Sequence, residues 1–320
     1  MKLKFLVIIV AVSSIMSGCA RTQKGPIKIG VNDWPPCEVW TIAQQNGYFS
    51  GIDVEIVRFT NWSDNMNSMY FGTTDITYAT YFNSIYLSDK GERAKLLMPI
   101  DTIVGGDGLV VSGDIDDISE LKGKKIAVEI GTDEHFLLSK SLESANLTLE
   151  DVELISSTSK ESIELLNGGE VSGAFTYEPY LSKGANEYGG NILFTTKELP
   201  NHRVNVLVAR ESSLNDRKDD YKIIVEAWYK ALEYIEKNPK ESFEIMAKNE
   251  NMDPEVFGKF YSEFKFYSKE EANKQLESSE LEKLLNSMNE FCEKYHLINE
   301  KVDVKELLDV KVLEGIRYED

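Results

Sequence analysis

The residues of this 320-residue chain that could do chemistry stand singly, and no spacing among them builds a reactive centre. His135, His202 and His296 lack metal-ligand spacing, and no Cys-x-x-Cys or His-Glu-x-x-His is present. Neither a Gly-x-Ser-x-Gly nucleophile turn nor a phosphate-binding P-loop occurs. These absences argue against an enzyme, a metal centre and a cofactor. What remains suits recognition. Asp33-Trp34-Pro35-Pro36-Cys37-Glu38-Val39-Trp40 offers two indole faces, Trp34 and Trp40, beside acids in a proline-stiffened turn. Tyr78 ends an apolar run, and Thr80 stands where a helix should start, either as its cap or as a polar contact. Gly105-Gly106-Asp107-Gly108 lets backbone come close to a solute, or serves a bend. Glu129–Phe136 contains Gly131-Thr132, followed by two acids that complement a helix N-terminus. Phe175-Thr176-Tyr177-Glu178-Pro179 supplies Tyr177 and the carboxylate of Glu178, and Pro200-Asn201-His202-Arg203 supplies the sole base near these segments. Aromatic faces with Asp33, Glu38, Asp107 and Glu178 suit a nitrogen-rich ring or an organic cation.

Those segments fall at regular places because the chain repeats itself at an offset of about 97 residues. Lys28-Ile29-Gly30-Val31 returns as Lys125-Ile126-Ala127-Val128, and Asp53-Val54-Glu55-Ile56 as Asp151-Val152-Glu153-Leu154. Gly72-Thr73-Thr74-Asp75-Ile76 returns as Gly169-Glu170-Val171-Ser172-Gly173. Each copy reads strand, helix, strand, helix, strand. Strands are expected over Ile27–Val31, Val54–Phe59 and Ile76–Ala79, then over Lys125–Glu129, Val152–Ser156 and Gly173–Thr176. Helices are expected over Glu38–Asn46, Ser63–Phe71, Glu134–Ala145 and Lys160–Leu166, with glycine stops at 47, 72 and 168–169. Alternating strands and helices imply two α/β lobes with parallel sheets. Thr102–Val111 and Arg203–Ala209 are the expected crossing strands. The expected division is 27–108 with 210–320 as the first lobe and 109–209 as the second. The helical stripes of Tyr221–Lys237 and Glu270–Lys294 should cover the first lobe. Ligands of such sheets sit beyond the carboxyl ends of the strands.

The start of the chain reads as a processing signal over 1–18: two lysines, an apolar run over Phe5–Val12, then small residues. Met16-Ser17-Gly18-Cys19 resembles a bacterial lipobox, which makes Cys19 the lipidated first residue and 19–26 a tether. The protein is then expected on the outer face of the membrane, held by lipid alone, since no later apolar run is long enough to span. Removing 1–18 takes away Lys2 and Lys4, so the formal charge goes from −19 to −19 − 2 = −21. Such a surface repels nucleic acid. Cys37 and Cys292 are expected as free thiols.

Residues 27–209 resemble the nitrate/sulfonate/taurine and thiamine-precursor group of binding proteins, of the type II periplasmic fold. The matching segments are Gly47-Tyr48-Phe49, Ile52-Asp53-Val54-Glu55, Gly72–Ile76, Gly106–Val111, Leu121–Val128 and Tyr177-Glu178-Pro179-Tyr180. The resemblance implies a monomer that carries a small solute to the permease and ATPase subunits of an ABC importer, without catalysis. It also implies that Gly131 and Thr132 donate hydrogen bonds to the solute and that Glu178 faces it. Asp33-Trp34-Pro35-Pro36 resembles the opening of the pyrimidine-precursor binders, which favours a nitrogen heterocycle or an amine. A sulfonate, taurine or nitrate is the alternative solute, and service to a membrane sensor is the alternative role.

Overall fold

The protein is described from a computed structural model, which covers residues 25–32, 34–60, 62–89 and 93–308. Cys19 and Asp33 lie outside the described residues. The strands are β1 (Ile27–Asn32), β2 (Val54–Phe59), β3 (Ile76–Thr80), β4 (Ala94–Ile103), β5 (Asp107–Val111), β6 (Lys125–Val128), β7 (Glu153–Ser156), β8 (Gly173–Tyr177), β9 (Asn191–Thr195), β10 (Asn205–Arg210) and β11 (Phe264–Phe266). They form two sheets, ordered β11-β4-β10-β3-β1-β2 and β7-β6-β8-β5-β9. The helices of the two repeats are α1 (Val39–Gln45), α2 (Trp62–Tyr70), α3 (Tyr81–Asp89), α4 (Asp133–Glu143), α5 (Ser159–Asn167) and α6 (Tyr180–Asn186). The remainder holds α7 (Glu211–Asp216), α8 (Lys218–Lys237), α9 (Pro239–Asn249), α10 (Pro254–Tyr261), α11 (Lys269–Leu276), α12 (Ser279–Lys294) and α13 (Val304–Leu308).

The duplication is visible in the strand register. Ile27 pairs with Val54 in one sheet and Lys125 with Glu153 in the other, both parallel. Ile29 pairs with Ile76, as Ile126 pairs with Gly173. The helices end where glycines take up positive φ, at Gly47 (+68°), Gly72 (+68°) and Gly169 (+72°). Gly30 is required for a different reason. A Cβ there would lie 2.3 Å from Oδ1 of the buried Asn65, so that side chain, which accepts from Thr77 Oγ1 at 2.8 Å, would have to shift.

Each repeat gives its last strand to the other lobe. β5 follows the first copy but pairs antiparallel with β8 in the second sheet. β10 follows the second copy but returns between β3 and β4 in the first. This corrects the expected boundaries: Asp107 and Gly108 belong to the second sheet, and Asn205–Ala209 to the first. The expected crossing strand over Thr102–Val111 is two strands broken at Val104–Gly106.

One face of the first sheet is covered by α1 and α8, where Trp40 and Trp228 meet at 4.9 Å between ring centroids. The C-terminal helices do more than cover that lobe. Phe291 of α12 packs on Phe82 of α3 and on Phe136 of α4, and Lys294 pairs with Glu150 at 2.8 Å. An apolar core therefore runs from one lobe into the other. Cys37 and Cys292 are buried free thiols in separate cores. No helix among the described residues is long and apolar enough to cross a membrane.

Candidate functional site

The carboxyl ends of β3 and β4 and the starts of the antiparallel strands β5 and β10 meet in a polar layer between the lobes. On the first sheet, register places Phe266, Asp101, Asn205 and Thr80 in one row across β11, β4, β10 and β3. Asn205 donates through Nδ2 to Asp101 Oδ1 at 2.8 Å, and its own Oδ1 accepts from Arg203 Nη1 at 2.9 Å. Arg203 Nε reaches Asp107 Oδ1, at the start of β5 in the second lobe, at 3.4 Å. Thr102 fixes this segment by donating to the carbonyl of Arg203 at 2.6 Å. At the other end of the row, Thr80 Oγ1 lies 2.9 Å from Asp133 Oδ2 in the first turn of α4. The layer thus links both lobes through hydrogen-bonded side chains.

Its charge balance is acidic. Arg203 is surrounded by Asp107, Asp133, Glu134 and Asp101, whose fields hold the guanidinium firmly protonated. One cation cannot balance four carboxylates. Burial pushes Asp101 and Asp107 up to about 7 and Asp133 up to about 6, although Arg203 pulls each the other way. Several buried polar atoms here have no hydrogen-bond partner among the described residues: Asp101 Oδ2, Trp34 Nε1, and the hydroxyls of Tyr78 and Tyr261. Buried polar groups are normally paired, so such orphans mark places where a solute could bond.

The expected site residues divide into two sets. Thr80 and Asp107 lie in the layer itself. Trp34 is half-buried, its indole edge-on to Phe264 at 5.1 Å and to Phe260 at 6.2 Å. Tyr177 ends β8, half-buried beside Tyr180, and its phenol is pushed up to about 12, by burial first and then by Glu134. Tyr78 is fully buried, with Trp62 against its ring at 6.5 Å.

The others are committed elsewhere. Trp40 is core, stacked on Phe49 and Trp228, because the first helix turns that face to α8. The Gly131 N–H points to Nδ1 of His135 at 3.4 Å, and the Thr132 hydroxyl donates to the Glu129 carbonyl at 2.6 Å. These donors are used within their own loop. Glu178 accepts from the N–H and hydroxyl of Ser182, at 3.1 and 2.7 Å, and so caps α6. Glu38 is buried against Arg58, Thr41 and Asn249, where it ties β2 and α9 to the first helix.

Asp101 and Asn205 also lie in this layer without having been singled out from the sequence, and Asp133, expected only as a helix-start acid, joins them. Asp101 does carry a signal: it is a lone acid closing the buried run Ala94–Ile100. Asp133 resembles any helix-start acid, and only its contact with Thr80 distinguishes it. Among the described residues no group of three or more His, Cys, Asp or Glu is placed to hold a metal ion.

Comparison with known proteins agrees with this architecture. The chain is 23% identical over 245 residues to a Brucella abortus (strain 2308) protein named "Putative binding protein", covering 73% of this chain and 75% of that one. Its structure resembles the periplasmic aliphatic sulphonate binding protein SsuA from Escherichia coli, with a TM-score of 0.73 and 16% identity over 88% of this chain and 91% of the other. The desulfurization enzyme DSZB shares the fold at a TM-score of 0.62 and 13% identity, over 91% of this chain and 98% of that one. The NMT1-like family matches residues 20–249, and the chain belongs to that family.

Proposed function

We propose that this chain captures a small nitrogen-bearing solute, a heterocycle such as a pyrimidine or an amine, between its lobes and hands it to an ABC importer. Cys19 is proposed to carry the lipid that holds it on the outer face of the membrane. The observation that carries the solute class is the acidic excess around Arg203. An added anion would meet Asp101, Asp107, Asp133 and Glu134, whereas a cation or an N–H-rich ring would find acceptors ready. Asp101 Oδ2 and the face of Trp34 supply an acceptor and a surface for such a group. The family of binding proteins supports the role, because lobes joined by two crossing segments can close on a solute and present that closure to a permease.

The test is thermal unfolding of a chain beginning at Ala20 against aminopyrimidines, flavins, quaternary amines, taurine, alkyl sulfonates and nitrate. A compound at about 100 times its dissociation constant adds roughly 2.7 kcal/mol of stability, a shift of several degrees. Shifts confined to rings and amines support the proposal. A shift with a sulfonate, the solute class named for SsuA, would keep the transport role and overturn the charge argument. Recovery of the bound compound with altered mass would favour an enzyme on the DSZB pattern instead. Co-purification with a sensor rather than a permease would favour the accessory role.

A further inference from the structure

The most exposed large apolar side chain among the described residues is Phe71, at 74%, and Tyr70 beside it is 41% exposed. Their ring centroids lie 4.8 Å apart at the end of α2. The internal repeat shows that the turn does not need them. The Gly72 N–H donates to the Met69 carbonyl at 3.0 Å, and Gly72 takes φ +68°. In the second copy the Gly169 N–H donates to the Leu166 carbonyl at 3.0 Å, and Gly169 takes φ +72°. The two turns are alike, yet the residues before Gly169 are Asn167 and Gly168. Single exposed rings are ordinary. An adjoining pair, where Asn-Gly serves the same turn, marks a contact surface.

The same end of the first sheet holds Gly25 and Pro26, and Arg210 stands between them and the aromatic pair. A Cβ on Gly72 would lie 2.8 Å from Arg210 Nη1, and Arg210 Nη2 donates to Asp75 Oδ1 at 2.9 Å. Arg210 lines a cavity of about 280 Å³ with Gly25, Pro26, Asp75 and Arg217. Arg217 Nη1 donates to the Gly25 carbonyl at 2.6 Å, and the Lys28 N–H donates to Asp75 Oδ2 at 2.9 Å. Asp75 and Asp220 answer the two guanidiniums, so this corner offers a partner apolar surface rather than net positive charge. Gly25 stands six residues beyond Cys19. Six residues reach at most about 20 Å. A lipid on Cys19 therefore keeps Gly25 within that distance of the bilayer surface.

We infer that this corner rests on the membrane: Phe71 enters the boundary between headgroups and acyl chains, and Tyr70 lies beside it with its hydroxyl at the headgroups. This seating depends on the proposed lipid at Cys19 and not on which solute is bound. Aromatic rings favour that boundary. Burying the Phe71 ring there favours the seated orientation roughly tenfold or more. The lipid supplies attachment, and the rings supply direction. β3 has this corner at its amino end and Thr80 of the polar layer at its carboxyl end, about 17 Å away. A molecule seated this way holds the polar layer away from the bilayer, towards the solution from which a solute arrives.

The test is hydroxyl-radical footprinting of the full chain, purified from membranes and placed in phosphatidylcholine vesicles, against a chain beginning at Ala20 in solution. Oxidation of Tyr70 and Phe71 should fall about tenfold on the vesicles. Oxidation of Ile192, exposed on the second lobe, should not change. Raising salt to about 1 M should leave the protection in place, because salt screens charge and not apolar burial. Phe71→Ser, a surface change that leaves the fold intact, should return Tyr70 to its solution rate. Equal oxidation of the pair on vesicles and in solution would overturn the membrane contact. Protection of Tyr70 that survives Phe71→Ser, or that is lost in salt, would overturn it too. Protection that grows with the concentration of the soluble chain would assign the pair to a second copy, with the same result. The mass of the amino-terminal peptide tests the anchor separately. If Cys19 carries no lipid, the anchor reading fails, and the Ala20 chain held on vesicles by an amino-terminal histidine tag decides the contact: a protected pair upholds it and an unprotected pair overturns it.

Discussion

Trp40 and Glu178 show how a residue's type can suggest a role that its neighbours then reassign. A tryptophan beside a proline-rich turn and a carboxylate before a proline both look suited to hold a solute. Trp40 instead lies between Phe49 and Trp228 in the first core, and Glu178 caps α6 through Ser182. Their substitutions should therefore separate stability from binding. Trp40→Ala should cost about 3–5 kcal/mol in urea unfolding, as expected for a large buried ring. Glu178→Ala should cost about 1 kcal/mol, the usual loss of a helix cap, and leave solute affinity unchanged. Weakened affinity in a stably folded Glu178→Ala protein would return that carboxylate to the site.

At the scale of elements, the exchange of β5 and β10 and the reach of α12 decide how the lobes are joined. The repeat made the two α/β units legible, because apolar strand runs and glycine helix stops are local features. The pairing of β10 with β3 and β4 was not legible, since an extended valine-rich strand fits either sheet equally well. Likewise the apolar stripe of α12 announced a buried face without saying that Phe291 would touch both lobes. That ring meets Phe82, His135, Phe136 and Tyr295 at centroid distances of 6.1, 4.9, 5.4 and 4.6 Å. Phe291→Ala should lower stability by about 3–5 kcal/mol. In denaturant titrations the midpoint should fall with an unchanged slope, so long as the lobes still unfold as one unit. A second transition would show that α12 couples them.

Across the whole molecule, the interlobe acids should reverse the usual pH dependence of stability. Asp101, Asp107 and Asp133 have folded-state values raised to about 7, 7 and 6, mainly by burial. A raised carboxyl binds protons more tightly folded than unfolded. Its contribution is complete below the unfolded value of about 4 and is lost as pH climbs through the folded value. His135, lowered to about 4, acts in the opposite sense: its contribution is complete above the unfolded value of about 6.5 and is lost as pH falls towards 4. Three acids outweigh one histidine, and the formal charge of −19 adds repulsion as pH rises. The protein should melt at a higher temperature at pH 5.5 than at pH 8.5. Asp107→Asn should narrow that gap. An equal or higher melting temperature at pH 8.5 would show that these carboxyls are solvated and paired in solution.

The order of strands and helices, the duplication and the acidic surface were determined by the sequence alone, because each depends on residues adjacent in the chain or on composition. Which side chains form the polar layer between the lobes was decided by tertiary structure. Asp101 meets Asn205 across 104 residues, Thr80 meets Asp133 across 53, and Arg203 meets Asp107 across 96. Burial, hydrogen-bond partners and charge balance are properties of such distant pairs. The same aspartate is an ordinary solvated acid in the unfolded chain and a proton-holding group once two strands close over it.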